Sequence, residues 1–368
     1  MTFRKFVLNL HLILGLLSGL VVLVVAITGA IWAFESEISD FLYPYRKVNA
    51  ESTLYLSPSN LKKIAQPHFG DLPIQSISYP AKNRPAELAY WAPDDESHEF
   101  TKVFINPYSG SVLKVIHNEP LFFDWVIRIH TQLLLGEIGS TIVAYATLIF
   151  LILIVSGIIL WWPRNRSNRS QRLLFKWKNT TLWRRKNFDL HSILGFYTTW
   201  IAIFIVITGL CWSFDWMDKS IFFISSGGKP YVSWPDPKST STSSNFNDSL
   251  SMEDHLFRRV LQSEPNAKAF YLYLPQKSND PFTITSNICD KTWFESKSYY
   301  YNQYSGALLT VDDPQLYNGG QKIRSMYYDI HIGKIAGLTG QILVFATSLT
   351  VASLPITGFL IWWGRRKK

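Results

Sequence analysis

Four stretches of this chain contain no Asp, Glu, Lys or Arg, and each is long enough to cross a lipid bilayer. They are residues 10–34, 138–162, 192–214 and 335–363. A spanning helix needs about 20 apolar residues, because the hydrocarbon core is about 30 Å thick and a helix rises about 1.5 Å per residue. Lipid offers no partner to backbone N–H and C=O groups, so stretches of this kind must be helical. The chain is therefore expected to be an α-helical polytopic membrane protein with four principal transmembrane helices. The first stretch is too long for the apolar region of a signal peptide. It ends in IWAF, without a small-residue cleavage site, and reads as a retained anchor.

A net charge of +9 over 368 residues raises the question of a nucleic-acid partner. The placement of the charge answers it. Arg4 and Lys5, the 163–189 linker and the final RRKK hold 15 of the 36 basic residues and one acid, Asp189. Basic residues gather in the cytoplasmic loops of membrane proteins, so both termini and the 163–189 linker are expected inside, and residues 35–137 and 215–334 outside. The partner implied is the lipid bilayer, with its anionic headgroups, and not nucleic acid.

The spans repeat. HLILGLLSGLVVLVVAITG (11–29) aligns without a gap with HSILGFYTTWIAIFIVITG (191–209), and 130–162 aligns with 331–363 from the leading His to the final Trp-Trp. The outer segments repeat as well: VFINPYSGSVLKV (103–115) matches YYYNQYSGALLTV (299–311), each reading as strand, turn, strand. A short helix is expected before each, capped by Ser57 with Pro58 following, and by Ser251 with Asp254 three residues on. Residues 236–248 read as a flexible insertion in the second copy.

The chain thus divides into a first repeat, 1–162, a basic linker, 163–189, and a second repeat, 190–368. In the first, a span at about 10–34 leads to an outer domain at about 35–120, a segment carrying His130, and a span at about 138–162. In the second, a span at about 191–214 leads to an outer domain at about 215–325, a segment carrying His331, a span at about 335–363 and the basic tail. Both halves start on the same side, so they are expected to be parallel and pseudo-symmetric about an axis along the membrane normal.

Four histidines survive the repeat. His11 and His191 open the first and third spans; His130 and His331 stand at the outer approaches to the second and fourth. A twofold axis would pair His11 with His191 and His130 with His331. Histidine at membrane depth is costly and marks function, and two facing imidazoles can ligate both axial positions of one haem iron. Gly15 and Gly195 follow the inner histidines by one turn, while Gly29 and Gly209 return to the same face about 27 Å further along. All four are candidates to face a flat macrocycle. The plainer readings are a headgroup contact for any one His and close helix packing for the glycines. No Cys, Asp or Glu completes a tetrahedral zinc set beside the histidines. Cys211 and Cys289 read as structural, and His68, His98, His117 and His255 as loop residues without a repeat partner.

The opening RKFVLNLHLILGLLSGL, the ITGAIWAFESEI end of the first span, the NPYSG turn and the terminal ITGFLIWW resemble PepSY-associated transmembrane proteins. The resemblance covers almost the whole chain. It implies a PepSY-like α/β domain on the periplasmic side in each half, and a place in the bacterial inner membrane. It also implies that His11, His191, His130 and His331 ligate two haems, as in members that reduce ferric siderophores. The expected function is accordingly a di-haem b-type cytochrome that passes electrons to an external ferric chelate. No C-x-x-C-H allows covalent haem, and no nucleotide fingerprint occurs. Electrons must then come from a separate donor, a quinol or a cytoplasmic flavoprotein. No residue is assigned a catalytic or chelate-binding role. The rival classes are a permease or accessory subunit for iron chelates or peptides, and a membrane-anchored sensor or inhibitor without redox activity.

Overall fold

The computed structural model describes residues 2–51, 54–92, 99–163, 172–241, 250–289 and 292–366. Two units are distinguished. One comprises Met1–Glu35, Pro120–Ile224 and Met326–Lys368; the other comprises Ser36–Glu119 and Ser225–Ser325.

The first unit is helical. In chain order across the whole protein the principal helices are α1 (Phe3–Trp32), α2 (Pro58–Phe69), α3 (Phe122–Gln132), α4 (Gly136–Trp161), α5 (Trp183–Ser213), α6 (Met252–Ser263), α7 (Tyr327–His331) and α8 (Gly337–Arg366). Of these α1, α4, α5 and α8 are long and apolar enough to cross a membrane. Each of α1, α5 and α8 runs past the uncharged stretch into its basic flank, since long Lys and Arg stems let a helix continue beyond the apolar layer. Arg4 and Arg172 donate to the Leu160 carbonyl, and Arg172 Nη1 to the Trp161 carbonyl at 2.7 Å. These cations satisfy orphan carbonyls at the negative end of α4.

Helix α1 packs on α4 and α8, and α5 packs on the same two. At the α1–α8 crossing a Cβ on Gly19 would lie 3.2 Å from Pro355 Cβ, a close approach that glycine permits. The outward faces stay apolar: Leu20 is 73% and Ile138 71% exposed. Side chains of that kind are stable exposed only against lipid.

Helix α3 is not an extension of α4. Leu133 and Leu134 take positive φ, 52° and 60°, and Gly136 takes 55°, which reverses the chain between them. Two bulky residues in the left-handed region are costly, and the surrounding structure must hold them there. Between α7 and α8 the same reversal falls on Gly333 (φ 81°) and Gly337 (φ 59°), where no side chain opposes it.

The second unit is one antiparallel sheet with helices on one face. Its strands are β1 (Ser76–Tyr79), β2 (Ala86–Trp91), β3 (Phe100–Ile105), β4 (Val112–His117), β5 (Ala269–Tyr273), β6 (Phe282–Asn287), β7 (Lys297–Tyr301) and β8 (Leu308–Asp312). Their order is β4-β3-β2-β1-β5-β6-β7-β8. Alternation places Ile77, Leu88, Val103, Leu272 and Ile284 on one face, where they bury against Leu61 and Ala65 of α2 and Leu256 and Val260 of α6.

The two outer segments, expected as separate domains, therefore share one sheet and one core. Strand β1 pairs with β5 in the register Ser76↔Tyr273 to Tyr79↔Phe270. Left apart, each four-stranded sheet would expose the unpaired N–H and C=O groups of that edge; joining the edges satisfies both. Across the seam the rings of Tyr79 and Phe257 stack at 4.8 Å. The capping is shared too. Ser251 caps α6 by accepting from the Asp254 amide, whereas Ser57 stands at the α2 N-cap without that bond, and the Ser59 amide donates to Asp254 Oδ1 at 2.8 Å. The expected turns are present: the side chains of Asn106 and Asn302 each accept from the backbone two and three residues on, and Gly110 and Gly306 close with φ of 76° and 68°. Of the 236–248 insertion, residues 242–248 fall outside the described residues.

Candidate functional site

The pair expected near the inner face, His11 and His191, comes from α1 and α5. His11 lies about two turns into α1. His191 lies in a π-helical turn, Leu190–Leu194, which interrupts the ladder of α5. Single π turns recur at functional positions because they re-aim one side chain at the cost of a hydrogen bond. The two imidazole centres are 6.4 Å apart with planes at 89°. The pair expected near the outer face, His130 and His331, comes from the short helices α3 and α7. His130 and His331 stand 6.2 Å apart, centre to centre, with planes at 74°.

The repeat-derived pairs are thus brought together twice at nearly one spacing, and that spacing has a chemical meaning. Two imidazoles bound through Nε2 to one metal from opposite sides have ring centres about 6 Å apart, since each metal–nitrogen bond is about 2 Å and each nitrogen lies about 1 Å from its ring centre. No group of three or more His, Cys, Asp or Glu able to hold a metal ion occurs among the described residues. Two axial nitrogens suit a haem iron, whose other four ligands belong to the macrocycle. The donor set therefore fits haem and does not fit zinc.

Each Nδ1 is engaged by the helix behind it. Nδ1 of His11 is 2.8 Å from Ser156 Oγ, and that of His191 is 2.9 Å from Thr357 Oγ1. His130 Nδ1 is 3.1 Å from Thr28 Oγ1 and 3.0 Å from the Val25 carbonyl; His331 Nδ1 is 2.9 Å from Thr208 Oγ1. Outer-shell bonds of this type orient metal-ligating histidines and leave Nε2 for the metal. His130 and His331 lie outside the four spanning helices, and burial lowers both imidazoles from the usual histidine value, which favours their neutral form.

The glycines divide. A Cβ at Gly29 would lie 2.9 Å from His130 Cε1, and one at Gly209 3.3 Å from His331 Cε1. These two make room for the imidazole rings themselves. Gly15 and Gly195 face Leu153 at 3.9 Å and Leu354 at 3.7 Å across the helix contact. Two further glycines serve the inner pair: Gly157 would meet His11 Cε1 at 3.6 Å and Gly358 His191 Cε1 at 3.2 Å. The four hydroxyls and these two glycines were not singled out as site residues from the sequence. The signal was present, since TG or SG recurs at 28–29, 156–157, 208–209 and 357–358.

The remaining histidines lie elsewhere. His68 and His255 are in α2 and α6, and His117 is in β4 with Nδ1 2.7 Å from Thr101 Oγ1, so none of the three is in a loop. His98 lies outside the described residues. Cys211 and Cys289 are free thiols.

A family model described as PepSY-associated TM region matches residues 8–365. The chain belongs to this family. The match spans all four membrane helices and both halves of the sheet, so the architecture is that of the family and not of a grafted domain. No curated protein matches the chain.

Proposed function

We propose that this family member is a two-haem membrane cytochrome of the bacterial inner membrane that carries electrons outward to a ferric chelate such as a siderophore. The observation that carries the reading is the doubled histidine pair, at 6.4 and 6.2 Å, in a helix bundle with no other metal-ligating cluster among its described residues. Bound haem would supply reversible one-electron chemistry at its iron. The protein residues do the rest. His11 and His191 would hold the inner group, and His130 and His331 the outer one. Ser156, Thr357, Thr28 and Thr208 orient the rings, and the apolar spans keep water from the path between the pairs. The halves are read as parallel and pseudo-symmetric, so each contributes one ligand to each pair. A quinol or a cytoplasmic flavoprotein is the donor in this reading.

Protein purified from haem-replete cells is expected to be coloured, with a Soret band, a sharp reduced α band and about two haems per chain. A colourless preparation from such cells would overturn the reading.

The direction of transfer depends on topology. The basic excess in the N-terminal segment, the linker and the tail supports an inner placement for all three. A reporter fused after Lys368 is expected to behave as cytoplasmic, and one inserted within 236–248 as periplasmic. A periplasmic C-terminus would reverse the electron path.

A further inference from the structure

We infer that four hydroxyl–glycine pairs, Thr28-Gly29, Ser156-Gly157, Thr208-Gly209 and Thr357-Gly358, are positioning residues that hold each histidine as the Nδ1–H tautomer, with the Nε2 lone pair turned free. Their purpose rests on the haem reading above; the tautomer itself does not.

A Ser or Thr hydroxyl has one proton to donate. In all four pairs it has a backbone carbonyl one turn back to receive it. Thr28 Oγ1 donates to the Val24 carbonyl at 2.8 Å, Thr208 to Phe204 at 2.8 Å, Thr357 to Ser353 at 3.0 Å and Ser156 to Leu153 at 3.2 Å. With its proton so committed, each hydroxyl oxygen meets an imidazole nitrogen only as an acceptor, and Nδ1 must carry the hydrogen. A second bond gives the same sign. His130 Nδ1 is 3.0 Å from the Val25 carbonyl, and a carbonyl only accepts. Ser156, the partner of His11, makes the longest carbonyl bond of the four.

The glycine beside each hydroxyl sets how near the ring can come. Close helix packing alone would let these glycines meet any neighbour. Instead each of the four meets Cε1 of the same histidine that its hydroxyl neighbour binds, at 2.9, 3.6, 3.3 and 3.2 Å for a Cβ at Gly29, Gly157, Gly209 and Gly358. Cε1 adjoins both ring nitrogens, so a contact there fixes the rotation of the ring while the hydrogen bond fixes its proton. An imidazole locked in this way has only one nitrogen to offer, and it needs no proton loss or ring flip to bind a metal.

The test uses the full chain in two forms. In haem-free protein labelled with ¹⁵N-histidine, the four site rings are expected to show protonated Nδ1 and bare Nε2. Thr208→Val and Thr28→Val should mix the tautomers of His331 and His130, and Thr208→Ser should restore the signal. In haem-loaded protein, Thr208→Val should speed haem transfer to an excess of apomyoglobin by about 10–100-fold, the usual cost of removing an outer-shell partner, with Thr208→Ser near the parent rate. Gly29→Ala, whose added carbon meets His130 Cε1 at 2.9 Å, should lose the outer haem. Protonated Nε2 in the haem-free chain, or parental tautomers and transfer rates in both valine variants, would overturn the assignment. If the protein takes up no haem at all, the proposed function fails while the labelled spectrum still decides the tautomer.

Discussion

Replacing His11 or His191 by alanine is expected to halve the haem bound per chain and to remove the same spectral and redox component in both variants. Replacing His130 or His331 is expected to remove the other. The two imidazoles of each pair face one another at 6.4 and 6.2 Å, so either loss leaves a site with one axial nitrogen. The effect should exceed the about 10–100-fold that outer-shell changes cost, because a ligand itself is gone. The fold should survive. Ser156 keeps its bond to the Leu153 carbonyl when His11 is removed, and Thr208 its bond to Phe204 when His331 is removed, so neither hydroxyl is left bare. Haem per chain and a potentiometric titration of the four variants read the result. If His11→Ala and His130→Ala abolished one identical component and spared the other, the pairing would be wrong.

The membrane helices and the closeness of the histidines within each pair were legible because both signals are local and are written twice. A charge-free run of adequate length has one structural outcome in lipid, and a residue kept in register through a duplication has been kept in one spatial relation. The closeness of His11 to His191, 6.4 Å between ring centres, is what reading the two halves as a parallel repeat leads one to expect. The duties of the glycines needed more. Gly29 repeats as Gly209, but the ring that each accommodates arrives from a helix about a hundred residues later, and spacing within α1 cannot announce it. Ser156 hid for a different reason: its counterpart is Thr357, and identity matching passes over a shared hydroxyl. The β1–β5 seam was illegible on the same grounds as most strand partners. Ser76–Tyr79 and Ala269–Tyr273 each alternate correctly for a half-buried strand, and alternation says which face is buried but not which edge is joined.

Dithionite-reduced protein, mixed anaerobically with a ferric siderophore, is expected to lose its reduced α band at least an order of magnitude faster than in buffer. One electron leaves the protein and one ferric ion becomes ferrous. Siderophores bind iron(III) far more tightly than iron(II), so that single transfer loosens the metal without any protein ligand touching it. The residues that must be intact depend on where the electron starts. In detergent, dithionite reaches either site, and only His130→Ala or His331→Ala should abolish the reaction, since theirs is the pair proposed to lie at the outer ends of the spans. In vesicles with reductant trapped on the side of the termini and chelate on the other, His11→Ala and His191→Ala should abolish it too. About 27 Å of helix then separates the surviving pair from the donor side, the length of α1 between His11 and Gly29. Stopped-flow traces with hydroxamate, catecholate and citrate complexes check the first expectation, and vesicle assays of the four variants check the second. If no chelate accelerated the decay, the reductase reading would fail and a cytochrome with a different acceptor would stand in its place. If the inner variants still moved electrons across the vesicle wall, the inner histidines would not lie on the path.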